Sequence, residues 1–267
     1  FPLLNYSADT DDETQYFDWF HQELAVLDQF IEVASQHKIK ILIDLHTPPG
    51  GYVARDPKPQ FRIFSESWAQ QAMFRVWEEL AERYKSNTTV WGYELANEPA
   101  QSFVLSGLQN WNTLARNLVA AIRTIDKTHV IVVNPLFGDA IRIKSMKPIR
   151  GKNIWYSVHM FYPQSFTHQG IYENQAVVSY PNQKLKKATL VNHLKRLVEF
   201  QAKNKAQILI HEFSAVRWAP GNSAYNYIKD LISIFEAHKW SWTYLAFRGG
   251  DDVWSVEHNG DRNDHNR

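Results

Sequence analysis

Short apolar runs alternate with longer amphipathic stretches along nearly the whole chain, and this alternation limits the possible folds more than any other feature. Runs rich in β-branched and aromatic residues predict six strands, at residues 38–46, 90–95, 129–134, 154–159, 207–213 and 240–247. Most stretches between them repeat apolar residues at three- and four-residue steps, which predicts amphipathic helices. The first of these helical faces consists of Phe20, Leu24, Leu27, Ile31 and Ala34. Strands that alternate with helices pair in parallel through right-handed crossovers, so we expect an α/β fold.

Two α/β architectures fit this pattern, a doubly wound sheet and a (β/α) barrel. A dinucleotide-binding sheet would carry G-x-G-x-x-G after its first strand, but the glycines there stand in PPGGYVARD. A barrel collects its catalytic side chains at the carboxyl ends of several strands. All six predicted strands end on polar residues: Asp44, His46, Asn97, Glu98, Asn134, His159, His211, Glu212 and Arg248. The sequence therefore favours the barrel.

Composition excludes several kinds of partner. The 267 residues are 44% hydrophobic, enough for one large domain or two small ones. The 29 basic and 28 acidic residues nearly balance, so net charge gives no reason to expect binding to nucleic acid or an anionic membrane. No run approaches 18 apolar residues, so no membrane span is expected. No signal-peptide pattern is visible in the opening FPLLNYSADT, and zero cysteines exclude disulfides and thiolate metal sites.

The carboxylates at the strand ends indicate the chemistry. Two carboxyls facing each other, here Glu98 and Glu212, suit glycosidic bond cleavage: one protonates the leaving oxygen, and the other attacks the anomeric carbon or activates a water. A separation of roughly 5 to 5.5 Å gives retention, and about 6.5 to 9.5 Å gives inversion. Aromatic residues make up 14% of the chain and can stack on sugars. Glu94 shares a face with Ala96 and Glu98 if the strand stays regular, and its burial requires an Arg, Lys or hydroxyl partner, or a proton.

Four motifs in order, DLHTPPGG, NEP, HMFYP and ILIHEF, resemble glycoside hydrolase family 5 over nearly the whole chain. These are retaining β-glycanases with catalytic glutamates at the ends of strands four and seven of a (β/α)8 TIM barrel. The resemblance implies a single glycoside hydrolase catalytic domain over residues 1–267. It implies that Glu98 is the acid/base and Glu212 the nucleophile. It also implies that Asn97 binds the substrate 2-hydroxyl and the nucleophile, and that His46 and His159 contact sugar.

The chain departs from the family pattern in several places. About six βα units are evident; the first two strands, and the arginine that the second one carries, are not seen. We expect a partner chain or a further segment to complete the barrel. The strand-six tyrosine of the family is replaced by Phe161 unless Tyr162 takes its role. The strand-eight tryptophan is replaced in FRGG by Gly249 and Gly250, and the rings that could compensate are Trp218, Trp242 and Trp254.

The resulting hypothesis is an endo-β-1,4-glucanase that acts by double displacement on a β-linked polysaccharide or oligosaccharide, without a cofactor. The alternatives are a mannanase or xylanase specificity, or a degenerate member that only binds carbohydrate. A metal site built from Asp44, His46, His159 and His211 is disfavoured, because no H-x-H occurs on a first strand and the alternating side chains of residues 211 and 212 should not converge. The predicted substrate-binding residues are His46, Asn97, His159, Tyr162, Trp218 and Trp254. A polymeric substrate implies an extracellular or periplasmic location.

Overall fold

The computed structural model describes residues 4, 12–53, 60–172, 175–247 and 253–256. The chain divides into two compact units, Phe1–Gly138 with Ser145–Tyr156, and Asp139–Lys144 with Ser157–Arg267. A single catalytic domain stays a prediction, and each unit is described in turn.

The first unit contains three helices and a parallel sheet. The helices are α1 (Glu13–Gln36), α2 (Ser67–Tyr84) and α3 (Trp111–Ile125), and the sheet strands are β1 (Ile41–Asp44), β4 (Val90–Glu94) and β5 (Val130–Val133). Strand β6 (Ile154–Met160) begins in this unit and continues into the second. Strand β4 pairs in parallel with β1 and β5, and β5 pairs with the start of β6 through Val133 and Tyr156. These strands and helices confirm the predicted alternation.

Local sequence explains where the helices begin and which face they bury. The Asp12 side chain caps α1 by accepting from the backbone N–H groups of Thr14 at 2.9 Å and Gln15 at 3.2 Å. Asn110 caps α3 in the same way through the N–H of Thr113 at 3.1 Å. The five apolar residues that predicted α1 are all buried. Among the described helices, none is both long and apolar enough to cross a membrane.

A short antiparallel hairpin in the first unit was not predicted. Strand β2 (Tyr52–Val53) pairs with β3 (Gln60–Phe61), and the rings of Tyr52 and Phe61 lie 4.4 Å apart. Two-residue strands leave no periodic pattern to read. The hairpin follows the PPGG segment, and β1 ends at Asp44, two residues before the predicted end at residue 46.

The second unit contains the end of β6, helices α4 (Gln164–Thr167), α5 (Lys187–Asn204) and α6 (Ser223–Ala237), and strands β7 (Gln207–Phe213) and β8 (Ser241–Trp242). Strand β7 lies between β6 and β8 in the sheet and pairs in parallel with β8. Predicted strand 207–213 has the same bounds in the structure. The prediction for 240–247 was too long, because after Trp242 the chain follows β7 only through isolated bonds such as Thr243 N to Ile210 O at 3.0 Å.

Asp126, which follows α3, is the centre of a buried hydrogen-bond network in the first unit. Its Oδ2 accepts from Tyr93 Oη at 2.8 Å and lies 2.5 Å from His129 Nδ1. Its Oδ1 accepts from the backbone N–H groups of Thr128 at 2.9 Å and His129 at 3.1 Å. Burial alone would raise the pKa of Asp126, but these donors outweigh it and hold the pKa below its ordinary value.

Replacing Asp126 with asparagine is expected to lower the free energy of unfolding at pH 7 by about 2 to 4 kcal/mol, because several buried donors lose their charged acceptor. A carboxyl with a lowered folded pKa stabilises the fold above its unfolded pKa, about 3.9, and this contribution disappears as pH falls through the folded pKa. Urea unfolding between pH 7 and pH 3 should therefore show a smaller acid-induced loss in the variant than in the parent protein. Glu32→Gln on the exposed face of α1 is the control, and equal stability of Asp126→Asn and the parent would contradict the prediction.

Candidate active site

His46 is held in a defined orientation just after β1 in the first unit. Asp44, the buried last residue of that strand, places Oδ2 2.9 Å from His46 Nδ1. An ionised carboxylate can only accept, so we assign the ring proton to Nδ1 and leave Nε2 as an acceptor. Asn97 Nδ2 lies 3.4 Å from that Nε2. The structure thus brings two sequence-predicted site residues, His46 and Asn97, into contact.

Glu94 is fully buried at the end of β4 and has an amide partner. Asn134, directly after β5, donates from Nδ2 to Glu94 Oε1, and the Asn134 carbonyl accepts from Trp111 Nε1 at 2.7 Å. The sequence reasoning considered Arg, Lys, a hydroxyl or a proton for Glu94, but not an amide. The partner nevertheless satisfies the requirement that a buried carboxyl be hydrogen-bonded.

Glu98 lies beyond the end of β4, so the regular strand that a common face of Glu94, Ala96 and Glu98 would require does not extend to it. The strand ends at Glu94, and Glu98 has a φ of 42°, in the left-handed region. Such a backbone costs a non-glycine residue of order 1 to 3 kcal/mol and concentrates at functional sites. The Glu98 side chain is partly exposed, so its carboxyl is accessible to solvent.

Tyr52 of the β2–β3 hairpin lies within the electrostatic reach of Glu98, and sequence reasoning missed it. Partial burial of the phenol, and then the negative charge of Glu98, raise the pKa of Tyr52 to about 12. The hydroxyl therefore stays protonated at neutral pH and can donate a hydrogen bond. The only sequence signal was a tyrosine directly after PPGG, which does not distinguish a site residue from a hairpin residue.

In the second unit, His159 of β6 and Glu212 of β7 are both buried, and His159 Nδ1 lies 3.5 Å from Glu212 Oε2. The ring of His211 is centred 6.0 Å from that of His159. His159 therefore neighbours both residue 211 and residue 212, although their side chains alternate along β7. A neighbouring imidazole can stabilise the negative charge of a buried carboxylate that water does not solvate.

Aromatic side chains surround the chain segments that follow β6 and β7. Trp254 donates from Nε1 to the Thr167 carbonyl at 3.0 Å, and its ring is centred 5.5 Å from that of Phe161. Tyr162 stacks on His193 with ring centroids 3.8 Å apart and planes within 9°. Burial lowers the pKa of His193, against the influence of Asp139, which favours a neutral ring in this stack. That Tyr162 takes the role of the family's strand-six tyrosine stays a prediction.

Trp218 follows β7 and is 43% exposed. Its Nε1 donates to the Gln169 carbonyl at 2.7 Å. Predicted positions Arg248, Gly249 and Gly250 lie outside the described residues. Of the predicted site residues, His46, Asn97 and Glu98 belong to the first unit, and His159, Tyr162, Glu212, Trp218 and Trp254 belong to the second.

Solved structures with a similar fold include several that are named as endoglucanases. A Thermotoga maritima Cel5A structure in complex with cellobiose has a TM-score of 0.73 and 22% identity, and covers 88% of this chain and 73% of its own. A hyperthermophilic endo-β-1,4-glucanase in complex with substrate has a TM-score of 0.74 and 21% identity, and covers 91% and 73%. The likeness shows the predicted fold class, the (β/α)8 TIM barrel. With carboxylates at the strand ends, this is the fold of a barrel-type glycoside hydrolase.

The chain belongs to the cellulase family, glycosyl hydrolase family 5, whose model matches residues 4–250. This confirms the predicted family and the class of enzyme. Endoglucanase 3 of Fibrobacter succinogenes is 26% identical over 92% of this chain, which spans 42% of that relative. Endoglucanase C of Acetivibrio thermocellus is also 26% identical, over 80% of this chain and 70% of its own length.

Proposed function

We propose that the chain is an endo-β-1,4-glucanase that cleaves its substrate with retention by double displacement. The observation that carries this proposal is the presence of both family glutamates beside hydrogen-bonding side chains: Glu98 follows Asn97, and Glu212 lies 3.5 Å from His159. Two relatives named endoglucanases and a structure with bound cellobiose support a β-glucan as substrate. A polymeric substrate also favours an extracellular or periplasmic location.

In the first step, the Glu212 carboxylate bonds to the anomeric carbon while the glycosidic carbon–oxygen bond breaks and Glu98 donates its proton to the leaving oxygen. In the second step, Glu98 takes a proton from water, the water oxygen bonds to the anomeric carbon, and Glu212 leaves as a carboxylate. Two inversions give net retention. Glu212 must be ionised and Glu98 protonated at the start of the cycle, and the partial exposure of Glu98 allows proton exchange with water.

We assign the substrate contacts to side chains whose orientation is already fixed. The Asp44–His46–Asn97 chain presents the His46 ring and the Asn97 amide in one arrangement, and Asn97 Oδ1 has no hydrogen-bond partner among the described residues. That buried oxygen can accept from a sugar hydroxyl. His159 can donate to the substrate or to Glu212, and the rings of Tyr162, Trp218 and Trp254 can stack on sugar.

A mannan or xylan specificity is the second candidate. A Thermotoga maritima Cel5A structure has been solved with a mannotriose substrate, and a relative named beta-xylosidase from Phanerodontia chrysosporium is 30% identical over half of this chain. Loops at the edges of a cleft set this specificity while the catalytic pair stays the same. A degenerate, carbohydrate-binding chain is a third candidate, but a binding module has no need of two glutamates at these positions.

Reducing-sugar release from cellulose, mixed-linkage glucan, mannan and xylan tests the proposal. We expect the highest rate on a β-1,4-linked glucan, with a fast fall in viscosity because endo cleavage cuts chains internally. The configuration of the first product, followed by NMR, should be β. A higher rate on mannan or xylan would change the substrate assignment, and an α product would exclude double displacement. Binding without turnover on any polymer would favour the degenerate member.

A further inference from the structure

Trp218 is exposed, yet its indole is fixed from several directions within the second unit. Its Nε1 donates to the Gln169 carbonyl at 2.7 Å, and a turn closed by Ala219 N to Val216 O at 3.1 Å carries its backbone. Gly170 has a φ of 76°, in the left-handed region, and a Cβ there would lie 2.9 Å from Trp218 Nε1, so a larger residue would disturb the indole. The tryptophans of the first-unit core, Trp77 and Trp111, are fixed in a similar way but are buried.

Gln169 fixes the carbonyl that receives the Trp218 indole. Its buried side chain donates from Nε2 to the carbonyls of Phe166 at 3.1 Å and Val178 at 3.0 Å, and its Oε1 accepts from Val178 N–H at 2.8 Å. These three bonds join Phe166, Gln169 and Val178 in the described parts of the loop that follows β6. The Gln169 carbonyl therefore takes its position when the chain folds, and ligand binding does not have to order it.

The same loop also holds Trp254. Thr167 O accepts from Trp254 Nε1, and Gln169 O accepts from Trp218 Nε1, so the two acceptors are two residues apart and at most about 7 Å from each other along the chain. Both rings are at least partly exposed. Two partly exposed indoles are thus anchored to carbonyls of one short chain segment.

We propose that Gln169 and Gly170 are positioning residues that hold the Trp218 indole as a preformed platform for one pyranose ring of a bound β-glucan chain. The identity of the ligand rests on the proposed function. A flat, exposed indole matches the apolar C–H face of a β-linked pyranose. The Arg217 guanidinium lies over the ring, 5.6 Å from its centroid, so the sugar would stack on the opposite face. Because the ring already has its orientation, binding orders little that was free.

A platform away from the bond being broken strengthens binding of long chains without changing the chemical step. In an E212Q background, which prevents hydrolysis, we expect Trp218→Ala to weaken calorimetric binding of cellohexaose by about tenfold and to leave cellobiose within about twofold. Tyr225→Ala removes another exposed ring of the second unit and should change neither affinity. Cellohexaose affinity unchanged by Trp218→Ala would overturn the platform.

The positioning roles need a double-mutant cycle. Gly170→Ala alone should weaken cellohexaose binding, because the new Cβ displaces the indole. In the Trp218→Ala background, Gly170→Ala should cause no further loss. Additive losses in the double variant would overturn the role of Gly170. Trp218→Phe keeps a ring but loses the bond to the Gln169 carbonyl, so we expect an intermediate affinity for cellohexaose. Parental affinity would overturn the role of Gln169, and this test holds even if Gly170→Ala does not fold.

If the parent protein neither binds nor cleaves cello-oligosaccharides, both the proposed function and this platform fail. If it does both and Trp218→Ala is silent, the platform alone fails.

Discussion

Replacing Glu212 with glutamine is expected to lower kcat on a β-1,4-glucan by about 10⁴-fold or more while KM changes little. Glutamine has nearly the same shape, so the substrate still binds, but a neutral amide cannot form the covalent glycosyl intermediate. Glu199→Gln on the exposed face of α5 is a matched control from the same unit and should keep the parental rate. Initial rates at several substrate concentrations separate kcat from KM.

Chemical rescue distinguishes a lost nucleophile from a disturbed fold. In Glu212→Ala, the space left by the carboxylate admits azide, which can attack an aryl β-glycoside directly from the vacated side. One displacement then gives an α-glycosyl azide, with release of the phenolate. A β-glycosyl azide, or activity of Glu212→Gln equal to that of the parent, would show that Glu212 does not form the covalent bond.

The fold was predictable wherever a strand is a continuous apolar run with a sharp end. Strand β7 has the predicted bounds, Gln207–Phe213, because it lies between β6 and β8 in the sheet and every residue after Gln207 is buried. Strand β8 was predicted over 240–247 from a run of aromatic and apolar residues, but only Ser241–Trp242 pair as a strand, and residues 241–247 are exposed or half-buried. The hairpin of Tyr52 and Phe61 was missed because its strands are shorter than one period of any pattern.

For the candidate site, contacts between residues close in sequence could be predicted, whereas contacts between residues far apart in sequence could not. Asp44 and His46 are two residues apart at a strand end, so their association follows from the local motif D-x-H. The bond between Trp218 and Gln169 joins residues 49 positions apart, and nothing in either local sequence indicates the other. The positive φ of Glu98 is a backbone property that no side-chain pattern encodes, so the sequence could not show that strand alternation stops before it.

Glu98→Gln is expected to lower kcat on a β-1,4-glucan by about 10² to 10⁴-fold. With an aryl glycoside that has a good leaving group, it should slow only the second step of the reaction. A sugar alkoxide must be protonated as it leaves, so loss of the acid slows bond cleavage in glucan. A dinitrophenolate leaves without a proton, so the first step with that substrate should stay fast. The second step still lacks its base, and the glycosyl-enzyme should accumulate.

This difference between the two steps has three measurable signs. The aryl substrate should give a burst of phenolate close to one equivalent per enzyme. The mass of the intact protein should increase by one glycosyl unit. Azide should restore turnover by releasing the sugar as a β-glycosyl azide. Glu82→Gln, an exposed carboxylate on α2 of the first unit, is the control and should show none of these signs. Equal losses on glucan and on the aryl glycoside, without a burst, would mean that Glu98 supports the fold or substrate binding rather than proton transfer. A burst with azide rescue requires a retained nucleophile and a missing acid/base, and so would separate the role of Glu98 from that of Glu212.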